Sequence, residues 1–350
     1  INPDNPVINT RSFGEDPVKV ADKVIAYASG LESGKVLSVC KHFPGHGDTD
    51  VDSHKALPVL PFTRERLDSV ELYPFKEAIR AGVSGMMVGH LQVPVIEPIG
   101  DLPSSLSRNV VYGLLTEELA FKGLIFTDAL AMKGVAGNKS VCLQALQAGN
   151  DMVLAPRRLK EEMDAVLEAV EKGELPEEEI NAKCRKVLTY KYILGLERKP
   201  FVKLSGLGTR INTPQTRDLI SRLNLAAITV LNNKNDVLPL HPDLKEAAIL
   251  NVGKPEEIEP FDRKMKKYTS FARFQLRKDL PEAEQQKLRD SLAAYRRVIV
   301  TVTEQRLAPY QSFFAKFAPE SPVIYVFYTP AKSMLQIQRA VSAAEAVVLA

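Results

Sequence analysis

The chain has 350 residues, 45% of them hydrophobic and 25% charged, with 46 Lys and Arg against 43 Asp and Glu. This is ordinary composition for a soluble protein, and enough chain for two domains or one large barrel with additions. A net charge of +3, spread among mixed signs, speaks against a nucleic-acid or anionic-membrane partner, and no apolar run is long enough to span a bilayer.

The chain opens with Ile1-Asn2-Pro3-Asp4, without an initiator Met, and stops inside the apolar run Ala346 to Ala350. It reads as a piece cut at both ends, so the lack of a targeting segment carries no information. Arg11 follows in the loop-like segment Asn9-Thr10-Arg11-Ser12-Phe13-Gly14; its guanidinium fork suits a polar substrate or a surface salt bridge.

Elements then alternate. A strand is expected at Val36 to Cys40, a helix at Arg64 to Ala81 and a strand at Gly85 to His90. A helix at Val110 to Leu119 precedes a strand at Gly123 to Asp128; a helix at Ser140 to Ala148 precedes a strand at Asp151 to Ala155. Helices at Lys160 to Lys172 and Pro176 to Leu194 close this part. Strands alternating with helices predict parallel βαβ units. In the first three strands the polar residues gather at the C-terminal end: Lys41 and His42, then His90, then Asp128. That is the active-site end of a (β/α)8 barrel, of which about four units are visible here, so the N-terminal part is read as missing.

Lys199 to Pro214, with Gly206 and Gly208, reads as a linker. Beyond it, strand-like runs at Ala226 to Leu231, Ala247 to Val252, Arg297 to Val302, Val323 to Tyr328 and Ala346 to Leu349, with a charged helix at Leu280 to Tyr295, predict an open, mostly parallel sheet with helices on both faces. The fold class is therefore α/β: the C-terminal portion of a (β/α)8 barrel followed by an α/β sandwich domain. The boundaries are residues 1–198 for the barrel part, 199–215 for the linker and 216–350 for the second domain, itself cut short. Without a GxGxxG a dinucleotide role has no support. The three cysteines, Cys40, Cys142 and Cys184, have no metal-site spacing and are expected as buried free thiols.

Of the five histidines, three fall within residues 41–54, Lys-His-Phe-Pro-Gly-His-Gly-Asp-Thr-Asp-Val-Asp-Ser-His, too rich in Gly and polar residues for a helix. Asp52 and His54 are two apart, so in an extended loop the carboxylate can reach the imidazole and raise the basicity of its far nitrogen. A turn-capping aspartate beside a solvated histidine explains the same residues. Lys41 and His42 either hold sugar hydroxyls at the barrel mouth or are a rim lysine and a core histidine. Asp128 either caps the next helix or presents a carboxylate to a pocket floor, able to attack an anomeric carbon. A zinc site on His42, His46 and His54 lacks the usual spacing, and Asp48, Asp50 and Asp52 fail as a calcium loop because Ser53 and Val59 stand where Gly and Glu are required.

Taken together, Asn9 to Gly14, Lys41 to Thr49, Asp52-Ser53-His54, Phe126 to Leu130 and Lys191 to Leu196 resemble family-3 glycoside hydrolases, specifically the β-N-acetylhexosaminidase branch. The resemblance is strong over residues 1–196 and weak beyond. It implies Asp128 as nucleophile, His54 as acid/base with Asp52 as its partner, and Arg11, Lys41 and His42 as binders of N-acetylglucosamine, with no cofactor and no metal. A sugar-binding aspartate of the family would precede Ile1. The implied substrate is a glycan or muropeptide ending in β-linked N-acetylglucosamine, favouring the bacterial cell envelope with the cytoplasm left open, and relatives leave room for a further domain downstream of Ala350. A neutral histidine acid does not repel phosphate, so phosphorolysis on the same site stays open, as do a catalytically silent carbohydrate-binding scaffold and a zinc-dependent barrel hydrolase. A half barrel leaves strand edges unpaired, so residues 1–350 alone are expected to be aggregated or inactive.

Overall fold

The computed structural model describes residues 5, 8, 11–49, 56–138, 140–198, 201–241, 246–268, 270–278, 280–317 and 322–350. They form two compact units, residues 1–202 and 203–350.

Unit 1 is built on a four-stranded sheet in the order β1-β2-β3-β4, formed by Val39–Phe43, Gly85–Val88, Leu124–Ala129 and Met152–Leu154. All pairings are parallel, so the C-terminal ends of the strands lie together on one edge. Phe43, Met86, Val88 and Ile125 are buried in the main core with Leu67, Leu72 and Leu115, which accounts for the apolar strand runs read from sequence. The strand-helix alternation is as expected, with boundaries moved by a few residues. β1 is the largest shift: it runs through Lys41 and His42 rather than stopping before them. The register skips His42, between Lys41 paired with Met87 and Phe43 paired with Val88. Such a bulge bends the strand and re-aims a side chain; here the side chain is an imidazole. The peptides Lys41–His42 and Phe43–Pro44 are cis.

One helix, Pro17–Ser33, was not anticipated. Its start is written in the sequence: Asp16 accepts a hydrogen bond from the Lys19 N–H and Pro17 takes the first helical position. Glu32, in its last turn, accepts hydrogen bonds from the N–H and hydroxyl of both Ser38 and Ser84, tying the helix to the N-terminal ends of β1 and β2. Asp151 does the same for β3, accepting from the Ile125 N–H at 2.8 Å and from Lys186 Nζ at 2.6 Å. Cys40 and Cys142 are buried free thiols; Cys184 is exposed, correcting its reading as buried. Its helix, Glu177–Ile193, buries no residue, because charge is spread around every face.

Unit 2 holds a six-stranded sheet in the order β5-β10-β9-β8-β6-β7: Thr229–Asn233, Ala346–Leu349, Val323–Phe327, Arg297–Val302, Ala247–Val252 and Ala272–Leu276. It is parallel except for β5, which runs antiparallel to β10. Every residue of β6 is buried, as are five of six in β8, so both strands read as mainly apolar runs. β7 escaped the sequence reading. It is an edge strand, Ala-Arg-Phe-Gln-Leu, and its polar residues mask the apolar signal. The stretch read as linker contains a helical segment, Leu207–Ile211. A full helix then starts at Pro214 with Thr213 as its cap, and it takes up Ala226 and Ala227, which were read as strand. Among the described residues no helix is long and apolar enough to cross a membrane.

Candidate active site

The C-terminal ends of β1, β2 and β3 carry His42, His90 and Asp128. Asp128 caps no helix, since the next α-helix begins at Val141. Its Oδ1 accepts a hydrogen bond from the Ala129 N–H at 2.8 Å. Its Oδ2 faces Nε2 of His42 at 3.6 Å, a polar contact just beyond hydrogen-bond reach. The carboxylate is 17% exposed and the imidazole 9%. Packing is close here: a Cβ on Gly89 would lie 3.1 Å from Cβ of His42, so a larger residue would press on the bulged strand by a few tenths of an ångström.

Burial pushes the His42 pKa down to about 4, outweighing the upward pull of Asp128, and Lys41, His46 and Arg11 add to the fall. At neutral pH the ring is uncharged, so it can donate or accept a hydrogen bond without neutralising the carboxylate beside it.

A cavity of about 720 Å³ runs along β1 from Ser38 to His42, with Arg11, Lys41, His42 and His46 on its polar wall and Val24, Leu31 and Phe75 among its apolar lining. Arg11 and Lys41 are exposed side chains. Asp128 is not on the wall and meets the cavity through His42. The loop after β1 is held by Asn5, which donates to the carbonyls of His46 and Gly47, and by Nδ1 of His46 against Thr49 Oγ1 at 2.8 Å. Four of the six site residues read from sequence are thus placed: Asp128 with His42, and Arg11 with Lys41 around one cavity. Asp52 and His54 lie outside the described residues. Among the described residues no three His, Cys, Asp or Glu side chains converge as a metal would require.

His90 was noted in the sequence as a strand-end polar residue but given no role. It is 1% exposed and bonds the carbonyl of Ala129, next to Asp128, at 3.0 Å. Its position in the strand series, matching that of Asp128, was the available signal.

The family model described as Glycosyl hydrolase family 3 N terminal domain matches residues 1–190. Beta-hexosaminidase A of Pseudoalteromonas piscicida is 34% identical over 261 residues, covering 68% of this chain and 43% of that protein. Beta-hexosaminidase LpqI of Mycobacterium tuberculosis is 37% identical over 199 residues, covering 54% of this chain and 50% of that protein. The chain spans half or less of the length of these two curated relatives. A solved structure, a glycoside hydrolase family 3 beta-N-acetylglucosaminidase from Paenibacillus sp. str. FPU-7, has a TM-score of 0.78 at 29% identity, covering 99% of this chain and 68% of that one. With the family match spanning the sheet, the bulged β1 and Asp128 alike, the chain belongs to glycosyl hydrolase family 3.

Proposed function

We propose that this chain carries the catalytic apparatus of a retaining β-N-acetylhexosaminidase, acting on terminal β-linked N-acetylglucosamine in a glycan or muropeptide. Residues 1–198 are then the C-terminal portion of a (β/α)8 barrel, and residues 216–350 an α/β sandwich domain joined by the linker. One observation carries the reading: a carboxylate with one oxygen tied and the other free stands beside a neutral imidazole, at the C-terminal edge of a parallel sheet. The names of the relatives supply the sugar.

In the first step Oδ2 of Asp128 attacks C1 of the sugar. The C1–O bond to the aglycone breaks, and the departing oxygen takes a proton from His54, whose partner is Asp52. In the second step water attacks C1 from the vacated face, His54 takes its proton, and the C1–Oδ2 bond breaks to free the carboxylate. The sugar is released with its starting configuration. Arg11, Lys41 and His42 hold its hydroxyls and acetamido group, and the neutral His42 leaves Asp128 its full negative charge for attack. No cofactor is required.

The test is release of aglycone from an aryl β-N-acetylglucosaminide by the natural full-length protein, in buffers with and without phosphate. Release without phosphate, with the β-anomer formed first, supports hydrolysis. Turnover only with phosphate, giving the sugar 1-phosphate, moves the assignment to phosphorolysis on the same site. Binding of N-acetylglucosamine without turnover in either buffer overturns the enzyme reading.

A further inference from the structure

We propose that His90 is a positioning residue for Asp128: its ring holds the Ala129–Leu130 peptide and thereby aims the free carboxylate oxygen at the sugar. The inference rests on Asp128 being the nucleophile.

The hydrogen bonds fix the tautomer. Nε2 of His90 lies 3.0 Å from the carbonyl oxygen of Ala129, an acceptor only, so this nitrogen carries the hydrogen. Nδ1 lies 2.7 Å from Ser105 Oγ. In the neutral ring Nδ1 is an acceptor, so the serine hydroxyl donates to it. Burial lowers the ring's pKa, in keeping with that neutral form. Ser105 is fully buried, and its carbonyl accepts from Asn150 Nδ2 at 2.8 Å.

The backbone around His90 is clamped as well. Ser104 Oγ donates to the Gly89 carbonyl at 2.8 Å and accepts from the Leu91 N–H at 3.2 Å, gripping both neighbours of the histidine. On the far side, the peptide that His90 holds has its N–H committed too, from Leu130 to the Leu154 carbonyl at 2.8 Å. Both polar groups of the peptide following Ala129 are therefore fixed. The Ala129 N–H in turn fixes Oδ1 of Asp128, leaving Oδ2 as the oxygen toward His42. An unbroken chain runs Asn150, Ser105, His90, Ala129, Asp128.

The test uses His90→Leu, His90→Gln and Ser105→Ala in the natural full-length protein, with steady-state kinetics on an aryl β-N-acetylglucosaminide and melting temperatures in parallel. A misplaced nucleophile costs rate more than binding, so His90→Leu is expected to lower kcat about 10²-fold with KM changed by less than about threefold. The glutamine amide can donate from near the position of Nε2, so His90→Gln is expected to recover roughly a tenth or more of the lost rate. Equal kcat for the leucine and glutamine variants, or a lowered melting temperature with kcat per folded molecule unchanged, overturns the proposal. Should His90→Leu fail to fold, Ser105→Ala decides, because it leaves the ring and removes only the hydroxyl that holds Nδ1 and so the ring's orientation: a lower kcat at unchanged KM supports the proposal and an unchanged kcat overturns it. Asp128→Asn separates the two failures. If that variant is active, the nucleophile assignment falls; if it is inactive while His90→Leu turns over at the parent rate, only the positioning role falls.

Discussion

The two ends of the unit 1 sheet both carry carboxylates, and the contrast between them separates scaffold from chemistry. At the N-terminal end Glu32 receives four hydrogen bonds from Ser38 and Ser84, and Asp151 receives a backbone N–H and a lysine. These carboxylates are committed to strand N–H groups and to neighbouring side chains of the scaffold. At the C-terminal end Asp128 has one oxygen bonded to the adjacent N–H and the other turned to a neutral imidazole at 3.6 Å. The chemical group is the same in all three residues. What differs is how much of its hydrogen-bonding capacity the fold consumes, and the end left incomplete is the end where a parallel barrel places its active site.

Four substitutions sharpen or break this contrast. Asp128→Asn keeps the shape of the side chain and removes its charge; it is expected to cut kcat by about 10⁴-fold or more with the melting temperature held or raised, as checked by assay and thermal scan. Gly123→Ala probes the scaffold end. A Cβ there would lie 2.4 Å from the Ser84 carbonyl oxygen and 2.5 Å from Cζ of Phe121, an overpacking expected to cost about 3 kcal/mol in denaturant unfolding. Glu32→Gln replaces charge-assisted hydrogen bonds with weaker ones, for a loss of about 1–2 kcal/mol with kcat/KM unchanged. An activity loss on the scale of Asp128→Asn would erase the distinction between the two ends.

The smallest effect is a pH slope. Burial works to raise the Glu32 carboxyl, but hydrogen bonds from Ser38 and Ser84 win and hold it below its usual 4.5. Its contribution is present above the unfolded pKa and is lost as pH falls through the folded one, so Glu32→Gln should flatten the acid limb below pH 4.5. His42 has the same sign by a different cause. Its pKa is pushed from 6.5 to about 4 by burial, so the unfolded chain takes up a proton that the folded one refuses. Stability is complete above pH 6.5 and declines toward pH 4. His42→Gln is expected to reduce the fall in melting temperature across that window, with the remaining slope due partly to His90, whose pKa is also lowered. Identical slopes in parent and variant would show that the ring is not buried as described.

Much of the site was legible because strand-end polarity is a one-dimensional signal. Asp128 after Leu-Ile-Phe-Thr, and Lys41-His42 after an apolar run, announce themselves wherever a buried parallel strand reaches solvent. Other features gave no such sign. β7 is an edge strand whose Arg273 and Gln275 break the apolar pattern. The exposure of Cys184 depends on what packs against its helix. The part played by His90 depends on Ser105 and Ala129, fifteen and thirty-nine residues away.

The amino-acid order alone determined that apolar strands alternate with helices, that carboxylate and imidazole groups stand at strand ends, and which family these motifs resemble. Only the tertiary structure decided which oxygen of Asp128 stays free, that His42 sits within 3.6 Å of it on a bulge, and that Glu32 and Asp151 are spent on the scaffold. The physical reason is that residue type sets what a side chain can donate, accept or ionise. How much of that capacity remains for a substrate depends on neighbours that only folding brings together.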